Sequence, residues 1–335
     1  MGTEFIPVTK RIASVSIVLF LLLMASCLLA VAVGSSGSNF SDIMDLLSPS
    51  GHAGSTAGAI LFRIRLPRVI LDATVGATLA LGGLVFQSLL RNALAEPFIL
   101  GISGGAAVGA IVGILLQFSL FPGVSLFSFG GSLITLVLVL ALAAGQLSTR
   151  KDSLLLGGVM MNAFCGAIIM FLIAMSQSSQ VHHILFWLMG DLSMVANEQL
   201  PILIGVLPCY AVIFYLARPM NLLLMGRDSA ATMGINVKTV TITLLLATSF
   251  MVSIVVCQSG LIGFVGLLVP HIFRLLFGPD HRVLAPACVL GGGTFLVLCD
   301  LLARTIPAQG EIPVGIVTAL IGAPLFIFLL WRNRP

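Results

Sequence analysis

The stretch that decides the fold is RIRLPRVILDATVGATLALGGLVFQSLLRNALAEPFILGISGGAAVGAIVG, residues Arg63–Gly113. It opens with three arginines, Arg63, Arg65 and Arg68, and continues as a long apolar segment. A short turn, Arg91–Pro97, separates this segment from a second apolar one. An apolar run of about 20 residues can cross a bilayer as a helix. The stretch therefore predicts two membrane-spanning helices joined by a tight turn.

Four glycines in the second apolar segment follow one another at intervals of four: Gly101, Gly105, Gly109 and Gly113. On a helix this spacing forms one stripe without side chains. Such a stripe lets a neighbouring helix approach closely, which favours helix association in lipid. We interpret it as a helix-packing surface, and direct contact with a transported molecule is the less favoured alternative.

The composition is that of a membrane protein. Hydrophobic residues make up 59% of the chain and charged residues 8%, against about 25% charged residues in soluble domains. The apolar runs are long rather than short and alternating, which predicts an all-α polytopic protein and excludes an outer-membrane barrel. About ten runs joined by short loops predict a single transmembrane domain over residues 1–335. The predicted spans are 12–33, 68–90, 100–118, 130–148, 154–176, 199–217, 238–258, 262–277, 284–304 and 312–331.

The N-terminal segment has two interpretations. Lys10 and Arg11 followed by an apolar run are typical of a signal peptide. The run is longer than a signal core, however, and the chain that follows is itself apolar. We therefore expect a retained first helix.

The distribution of Lys and Arg predicts the orientation, because short cytoplasmic loops are enriched in both residues. An even number of spans puts both termini on one side. With the termini in the cytoplasm, most basic residues also fall there: Lys10, Arg11, Arg91, Arg150, Lys151, Arg218, Arg227, Lys238, Arg274, Arg282, Arg332 and Arg334.

Four arginines then fall on the outer face, against this bias: Arg63, Arg65, Arg68 and Arg304. Arginine presents a planar fork that suits carboxylates, so one interpretation is a docking site for an acidic partner. The other is local pairing at helical i,i+4 spacing, of Arg68 with Asp72 and of Arg304 with Asp300. From the residues alone the two interpretations are equally good.

The interval 218–238, between spans six and seven, is the longest polar one on the predicted cytoplasmic side. Gly226 and Gly234 bracket a short segment rich in small residues. Such a segment suits a surface helix that lies in a groove of another protein. An ordinary connecting loop is the alternative.

Several kinds of chemistry have no matching pattern. The lysines are Lys10, Lys151 and Lys238, none of which follows a glycine, so no phosphate-binding loop is present and the chain is not expected to hydrolyse ATP. No enzyme motif, paired metal ligands or C-x-x-C spacing occurs, and adjacent His182 and His183 are poorly spaced for a metal. We predict no metal, no cofactor and no nucleic-acid partner for this chain.

Nine segments together resemble one family, the permease subunits of type II ABC importers, which take up vitamin B12, ferric siderophores or haem. The segments are Arg65–Arg68 (RLPR), Val75–Ala77 (VGA), Arg91–Pro97 (RNALAEP), Gly101–Ala106 (GISGGA), Ile184–Gly190 (ILFWLMG), Gly263–His271 (GFVGLLVPH), Gly278–Arg282 (GPDHR), Asp300–Arg304 (DLLAR) and Glu311–Gly315 (EIPVG). The match runs from the second span to the tenth and is specific to the family, but not to one cargo.

The resemblance implies a ten-helix subunit of the bacterial or archaeal cytoplasmic (inner) membrane. It implies a homodimer that works with two cytoplasmic ATPases, which use ATP and Mg, and with a periplasmic binding protein. The matching arginines Arg65, Arg68 and Arg304 would receive glutamates of the binding protein. This moves the interpretation of these arginines from even towards docking.

The resemblance also implies roles on the cytoplasmic side. ATPase coupling falls on Gly226, Arg227, Asp228, Ala230, Ala231 and Gly234, and a cytoplasmic gate on Asn92, Ala93 and Leu94. Two residues depart from the family pattern. Ala93 stands where such turns usually carry proline, and Asp72 stands where the family is usually apolar.

Two other functions remain open alternatives. An ion-coupled secondary transporter would show inverted repeats and ionisable residues at mid-depth, and neither is found in the sequence. A channel or membrane scaffold would leave the segment from Arg227 to Met233 without a purpose.

Overall fold

The structure is a computed structural model that describes residues 8–33, 58, 60–142, 151–193, 195, 197–307 and 310–332. Within these ranges the regular structure is helical, without a β-strand. In chain order the helices are α1 (Val8–Ala32), α2 (Leu66–Leu90), α3 (Ile102–Leu115), α4 (Ser125–Leu142), α5 (Lys151–Ala174), α6 (Ser178–Leu188), α7 (Leu207–Tyr215), α8 (Ala217–Met225), α9 (Arg227–Thr232), α10 (Val237–Ser259), α11 (Val265–Phe277), α12 (His281–Thr305) and α13 (Val314–Arg332).

Shorter helical segments extend three of these helices at their N-terminal ends. Leu61–Arg65 leads into α2, Leu120–Val124 into α4, and the tighter segment Asn197–Val206 into α7. With these extensions, seven helical segments of the described chain are long and apolar enough to cross a membrane, and three shorter apolar helices accompany them. Their ranges match the predicted spans one for one, which confirms an all-α polytopic fold with about ten spans.

Two predicted boundaries need correction. The fourth span was placed at 130–148, but its helical segment begins at Leu120, because the turn Leu120–Val124 runs directly into α4; residues 143–148 lie outside the described chain. The sixth span ends at Tyr215, and much of the predicted polar interval 218–238 is itself helical.

Helix α2 lies at the centre of the bundle. In a central window of its span 83% of the residues are buried, against 17% for α1. The reason is its glycines: a Cβ on Gly76 would overlap the carbonyl oxygen of Gly292 in α12, and one on Gly83 would overlap that of Gly266 in α11. These backbones touch because no side chain stands between them, which is how helices pack closely in lipid.

The chain between α10 and α11 is not helical, and Gly260 and Phe264 both have left-handed backbone angles, with φ of 68° and 69°. A bulky residue in this region is strained. The Phe264 N–H donates to Glu96 Oε1 at 3.2 Å, which holds the strained turn against the chain that follows α2. Burial raises the pKa of Glu96, and this hydrogen bond opposes the shift.

Candidate functional sites at the two faces of the bundle

Arg68, in the first turn of α2, makes the most extensive ion pair of the described chain. Its Nη2 lies 2.7 Å from Asp300 Oδ1, and its Nε lies 3.1 Å from both oxygens of that carboxylate. Its Nη1 lies 2.6 Å from Glu311 Oε2. Asp300 is fully buried, whereas the Glu311 side chain is 27% exposed. The guanidinium therefore joins α2 to α12 and to the segment before α13.

Arg304 and Arg65 lie beside Arg68 and are buried like it. Arg304 Nε is 3.0 Å from Asp300 Oδ2, one helical turn back, and its Nη2 donates to Ala30 O at 2.7 Å. Arg65 Nη1 donates to Val31 O at 2.9 Å. The fold thus brings the three predicted docking arginines together around the C-terminal end of α1. We call Arg65, Arg68, Asp300, Arg304 and Glu311 the outer charge cluster, after the face on which the sequence analysis expects the arginines.

One of the two expected local ion pairs is present. Arg304 pairs with Asp300 at i,i+4 as predicted. The hydrogen bonds of Arg68 go instead to Asp300 and Glu311, because α2 presents this arginine to α12 rather than along its own axis. Asp72 is fully buried within electrostatic reach of both arginines and of Asp300. In the described chain neither of its oxygens has a hydrogen-bond partner.

The predicted gate is a turn that is held by hydrogen bonds to Asn92. Arg91 ends α2 in a left-handed conformation, with φ of 48°. Asn92 Oδ1 then accepts from the Leu94 N–H at 2.9 Å, and Asn92 O accepts from the Ala95 N–H at 3.1 Å. Ala93 is exposed at the tip. The Asn92 side chain therefore orders the turn at Ala93, the position where the resemblance led us to expect a proline.

The predicted coupling segment forms the short helix α9, between Gly226 at φ 131° and Gly234 at φ 84°. Within it Ala230 is fully buried. Asp228 and Ala231 are exposed. The segment therefore has an inner side held against the bundle and an outer side open to solvent.

The predicted packing glycines do not all lie in one helix. Gly101 precedes α3, with φ of 78°. A Cβ on Gly105 would overlap Thr135 Oγ1, and one on Gly109 would overlap the Phe127 carbonyl oxygen. Gly113 faces Val124, where a Cβ would lie 3.1 Å from its Cα. The helical members of the stripe therefore lie against α4 and the turn before it.

A polar network at the opposite end from the outer charge cluster has no counterpart in the sequence analysis. Asn221 in α8 contacts Asp280 and His281 at the start of α12, and His281 contacts Ser88 in α2. Asp280 caps α12 by accepting from the Arg282 N–H at 3.0 Å. The preference for Asp at helix N-termini predicts this cap. Nothing in the local pattern identifies Asn221 or Ser88 as its neighbours.

His182 and His183 lie on α6 at the rim of an open cavity of about 210 Å³, with Asp191, Gln199 and Gln258 among its other polar residues. Both histidines are exposed. Across the described residues, no group of three or more His, Cys, Asp and Glu side chains is close enough to hold a metal ion.

Hydrogen bonds between residues far apart in the chain show which helix ends lie at the same face of the bundle. Arg65 and Arg304 bond the last residues of α1 at one face. Arg11 bonds Phe277 O at 2.6 Å, and Arg91 bonds Leu223 O, at the other. These two sets are the sets of ends that alternating spans predict, so the fold is that of a helical polytopic membrane protein with one of the described clusters at each face.

Comparison with known proteins gives the family. The chain matches the FecCD transport family over residues 22–332. It is 41% identical over 290 residues to the vitamin B12 import system permease protein BtuC of Klebsiella pneumoniae, covering 85% of this chain and 87% of that protein. It is 44% identical over 283 residues to the cobalamin import system permease protein BtuC of Halobacterium salinarum, covering 83% and 75%.

A solved structure shares the fold. It is an inward-facing conformation of a metal-chelate type ABC transporter, with a TM-score of 0.84 and 31% identity over 96% of this chain and 99% of that one. The chain belongs to the FecCD transport family. It is the permease subunit of an ABC importer of the class that takes up vitamin B12, siderophores or haem.

Proposed function

We propose that this permease carries a corrinoid, vitamin B12 or a close relative, from a periplasmic binding protein across the cytoplasmic membrane into the cell. The observation that carries this proposal is the 41% and 44% identity, over most of the chain, to two permeases named for vitamin B12 and cobalamin import. These relatives come from a bacterium and an archaeon, so the similarity spans a wide distance.

The assembly we propose has two copies of this chain, two cytoplasmic ATPases that bind ATP and Mg, and one binding protein. Both termini face the cytoplasm. Residues 1–335 form one transmembrane domain, with the coupling segment 218–238 between the sixth and seventh spans. The chain itself holds no cofactor and catalyses no reaction.

The outer charge cluster supports docking through its composition. It gathers three arginines from two helices at one face, where glutamates of a binding protein would find planar guanidinium groups. Their burial means that docking acts on a preformed cluster in which two carboxylates already pair with arginines. The partner's carboxylates would therefore compete with Glu311, which is the more exposed of the internal ones.

Two features at the opposite face support the proposed roles in ATPase coupling and in gating. The exposed side of α9 offers a short helix for the groove of an ATPase, and Asn92, Ala93 and Leu94 form the turn at the end of the central helix α2. In the mechanism we propose, ATP binding and hydrolysis move α9, and this movement opens and closes the turn below the cargo.

Reconstitution in liposomes tests the proposal. The permease with its ATPase and loaded binding protein should accumulate cyanocobalamin inside vesicles only when ATP is supplied on the ATPase side. Dissipating ion gradients with an ionophore should leave this uptake intact, because nucleotide hydrolysis drives it. Uptake that survives without ATP and collapses with the ionophore would instead establish an ion-coupled secondary transporter.

A ferric siderophore is the second candidate cargo, favoured by the structural match to a metal-chelate type transporter. Parallel vesicles supplied with a ferric hydroxamate or with haem, each with its own binding protein, separate the candidates. Uptake of one of these in place of cyanocobalamin would overturn the corrinoid assignment and leave the importer class unchanged.

A further inference from the structure

Helix α8 lies between the two predicted cytoplasmic sites. Gly226 alone separates it from α9, and the Ala230 N–H donates back to Gly226 O at 2.9 Å. Met220 and Leu223 of α8 are buried in the same core as Ala230. A displacement of α9 therefore reaches α8 directly, through one connecting residue and a common apolar core.

Asn221 connects α8 to the start of α12 through three hydrogen bonds. Its Nδ2 donates to Asp280 Oδ1 at 2.7 Å. Its Oδ1 accepts from the His281 backbone N–H at 2.8 Å and lies 2.7 Å from His281 Nδ1. The neighbours determine the amide orientation, since a carboxylate only accepts and a backbone N–H only donates. Both ends of this side chain are thus committed to α12.

His281 extends the connection to the central helix. Because Asn221 Oδ1 is an acceptor, the Nδ1 atom facing it carries a proton, and the neutral ring then presents Nε2 as an acceptor. Ser88 Oγ, in the last turn of α2, lies 2.5 Å from this Nε2 and 2.8 Å from Leu84 O, so its one proton is shared between two acceptors. Ser88 and His281 are both buried, 3% and 1% exposed, so water does not replace the bond cheaply.

A second connection, a direct hydrogen bond, joins the end of α2 to α8. Arg91 Nη2 donates to Leu223 O at 2.5 Å, two residues beyond Asn221 on α8. Arg91 is followed directly by Asn92, the first residue of the predicted gate. The end of α2 is therefore held to α8 on both sides, by Ser88 through His281 and by Arg91 directly.

We propose that α8 transmits the movement of the coupling segment to the cytoplasmic gate, and that Asn221 is the positioning residue that holds α8 to α12 and α2 during this movement. This inference rests on the proposed function. Asn221 acts through His281 and Ser88, while Arg91 joins the end of α2 to α8 directly. Without the bonds of Asn221, α9 still follows the ATPase, but less of its displacement reaches the turn Asn92–Leu94.

Asn221→Leu tests this, because leucine keeps a similar volume and removes all three hydrogen bonds. The assembled complex should still hydrolyse ATP, while cyanocobalamin taken up per ATP falls roughly tenfold, within the range of known coupling mutations. Asn197→Leu is the matched control. Asn197 is an exposed asparagine at the start of the helical segment before α7, outside the coupling segment. Equal effects of the two variants would overturn the proposal.

Spin labels distinguish transmission from simple loss of stability. Cys27→Ser removes the one cysteine of the six that is not buried. In this background, a spin label at Leu94→Cys reports the distance between the gates of the two subunits, and a label at Ser229→Cys reports the distance between their α9 helices. In Asn221→Leu the nucleotide-dependent distance change should keep its size at position 229 and shrink at position 94. A change of wild-type size at both positions would refute the role of Asn221.

Ser88→Ala provides a second variant, which removes one hydroxyl from α2 and leaves Asn221 and its bonds to α12 in place. It should lower uptake per ATP in the same direction as Asn221→Leu, and normal coupling would contradict the network. The proposed function fails if the wild-type complex shows no ATP-driven uptake. If wild type transports and both variants remain fully coupled, only this inference fails.

Discussion

Arg68 and Asp300 are 232 residues apart in the chain, yet Arg68 Nη2 lies 2.7 Å from Asp300 Oδ1. Both side chains are buried, at 7% and 0% exposure. The same carboxylate also lies 3.0 Å from Arg304 Nε. Asp300 therefore compensates two buried guanidinium groups and holds the start of α2 to α12 at the outer face.

Removing this carboxylate should destabilise the protein strongly. Asp300→Asn leaves Arg68 and Arg304 buried without their shared anion, and breaking such a buried pair costs about 3–5 kcal/mol. Thermal unfolding of the detergent-solubilised permease should show a large fall in Tm. Asp228→Asn, which neutralises an exposed carboxylate on α9, should leave Tm nearly unchanged. Similar shifts for the two variants would show that the outer charge cluster contributes little.

Neutralising Glu311, while Asp300 still pairs with Arg68, should strengthen docking of the binding protein. Glu311 contacts Arg68 Nη1 at 2.6 Å and is the more exposed of its two carboxylates. Glu311→Gln removes an internal competitor of the incoming glutamate, so affinity for the binding protein should rise roughly two- to fivefold, the worth of a partly exposed ion pair. Biolayer interferometry on permease in nanodiscs measures this, with Glu198→Gln as an exposed outer control. Weaker binding would argue that Glu311 supports docking instead.

The contact between α2 and α12 should not tolerate a methyl group. A Cβ on Gly76 overlaps the Gly292 carbonyl oxygen, so Gly76→Ala forces the two helices apart and should cost about 1–3 kcal/mol. At Gly130 a Cβ meets nothing within 4 Å. Gly130→Ala therefore serves as the control in the same unfolding assay, and an equal loss in both variants would mean that close packing is not the cause.

The exposed side of α9 should carry the ATPase contact. Ala231 is exposed, so Ala231→Arg should leave folding intact and block seating in the ATPase groove, abolishing ATPase stimulation by the loaded binding protein. Thr239→Arg, at an exposed position on the neighbouring α10, should retain stimulation. If Ala231→Arg remains fully stimulated, α9 is not the coupling element.

The capping interaction of Asp280 should survive mild acid. The pKa of Asp280 is about 2, below its usual 3.8, because the Arg282 side chain hydrogen-bonds its carboxylate and Asn221 adds a further donor, while burial opposes the shift. A lowered pKa gives stability that is complete above the usual value and is lost as pH falls through the folded one.

The corresponding measurement is the Tm difference between wild type and Asp280→Asn as a function of pH. It should stay constant from pH about 8 down to about 5 and shrink only as pH falls from about 4 towards 2. A difference that already shrinks near pH 6 would mean that another group is responsible.

The sequence was sufficient for the spans and for the family. A span is a local property, since a run of apolar residues must satisfy its own backbone hydrogen bonds in lipid. The family motifs are likewise continuous segments. The ion pair between Arg304 and Asp300 was predictable because the two residues are one helical turn apart. The start of the fourth span was missed because its first turns contain Pro122, Gly123 and Ser125, residues that are typical of a loop.

The tertiary structure decided the contacts between residues far apart in the chain. It paired Arg68 with Asp300 and Glu311 rather than with Asp72, and it placed Asn221 and Ser88 around His281. It also buried Ala230 while leaving Ala231 exposed. These outcomes depend on how each helix is rotated against its neighbours, and that rotation is set by packing at glycine contacts such as Gly76 with Gly292, which a local pattern does not contain.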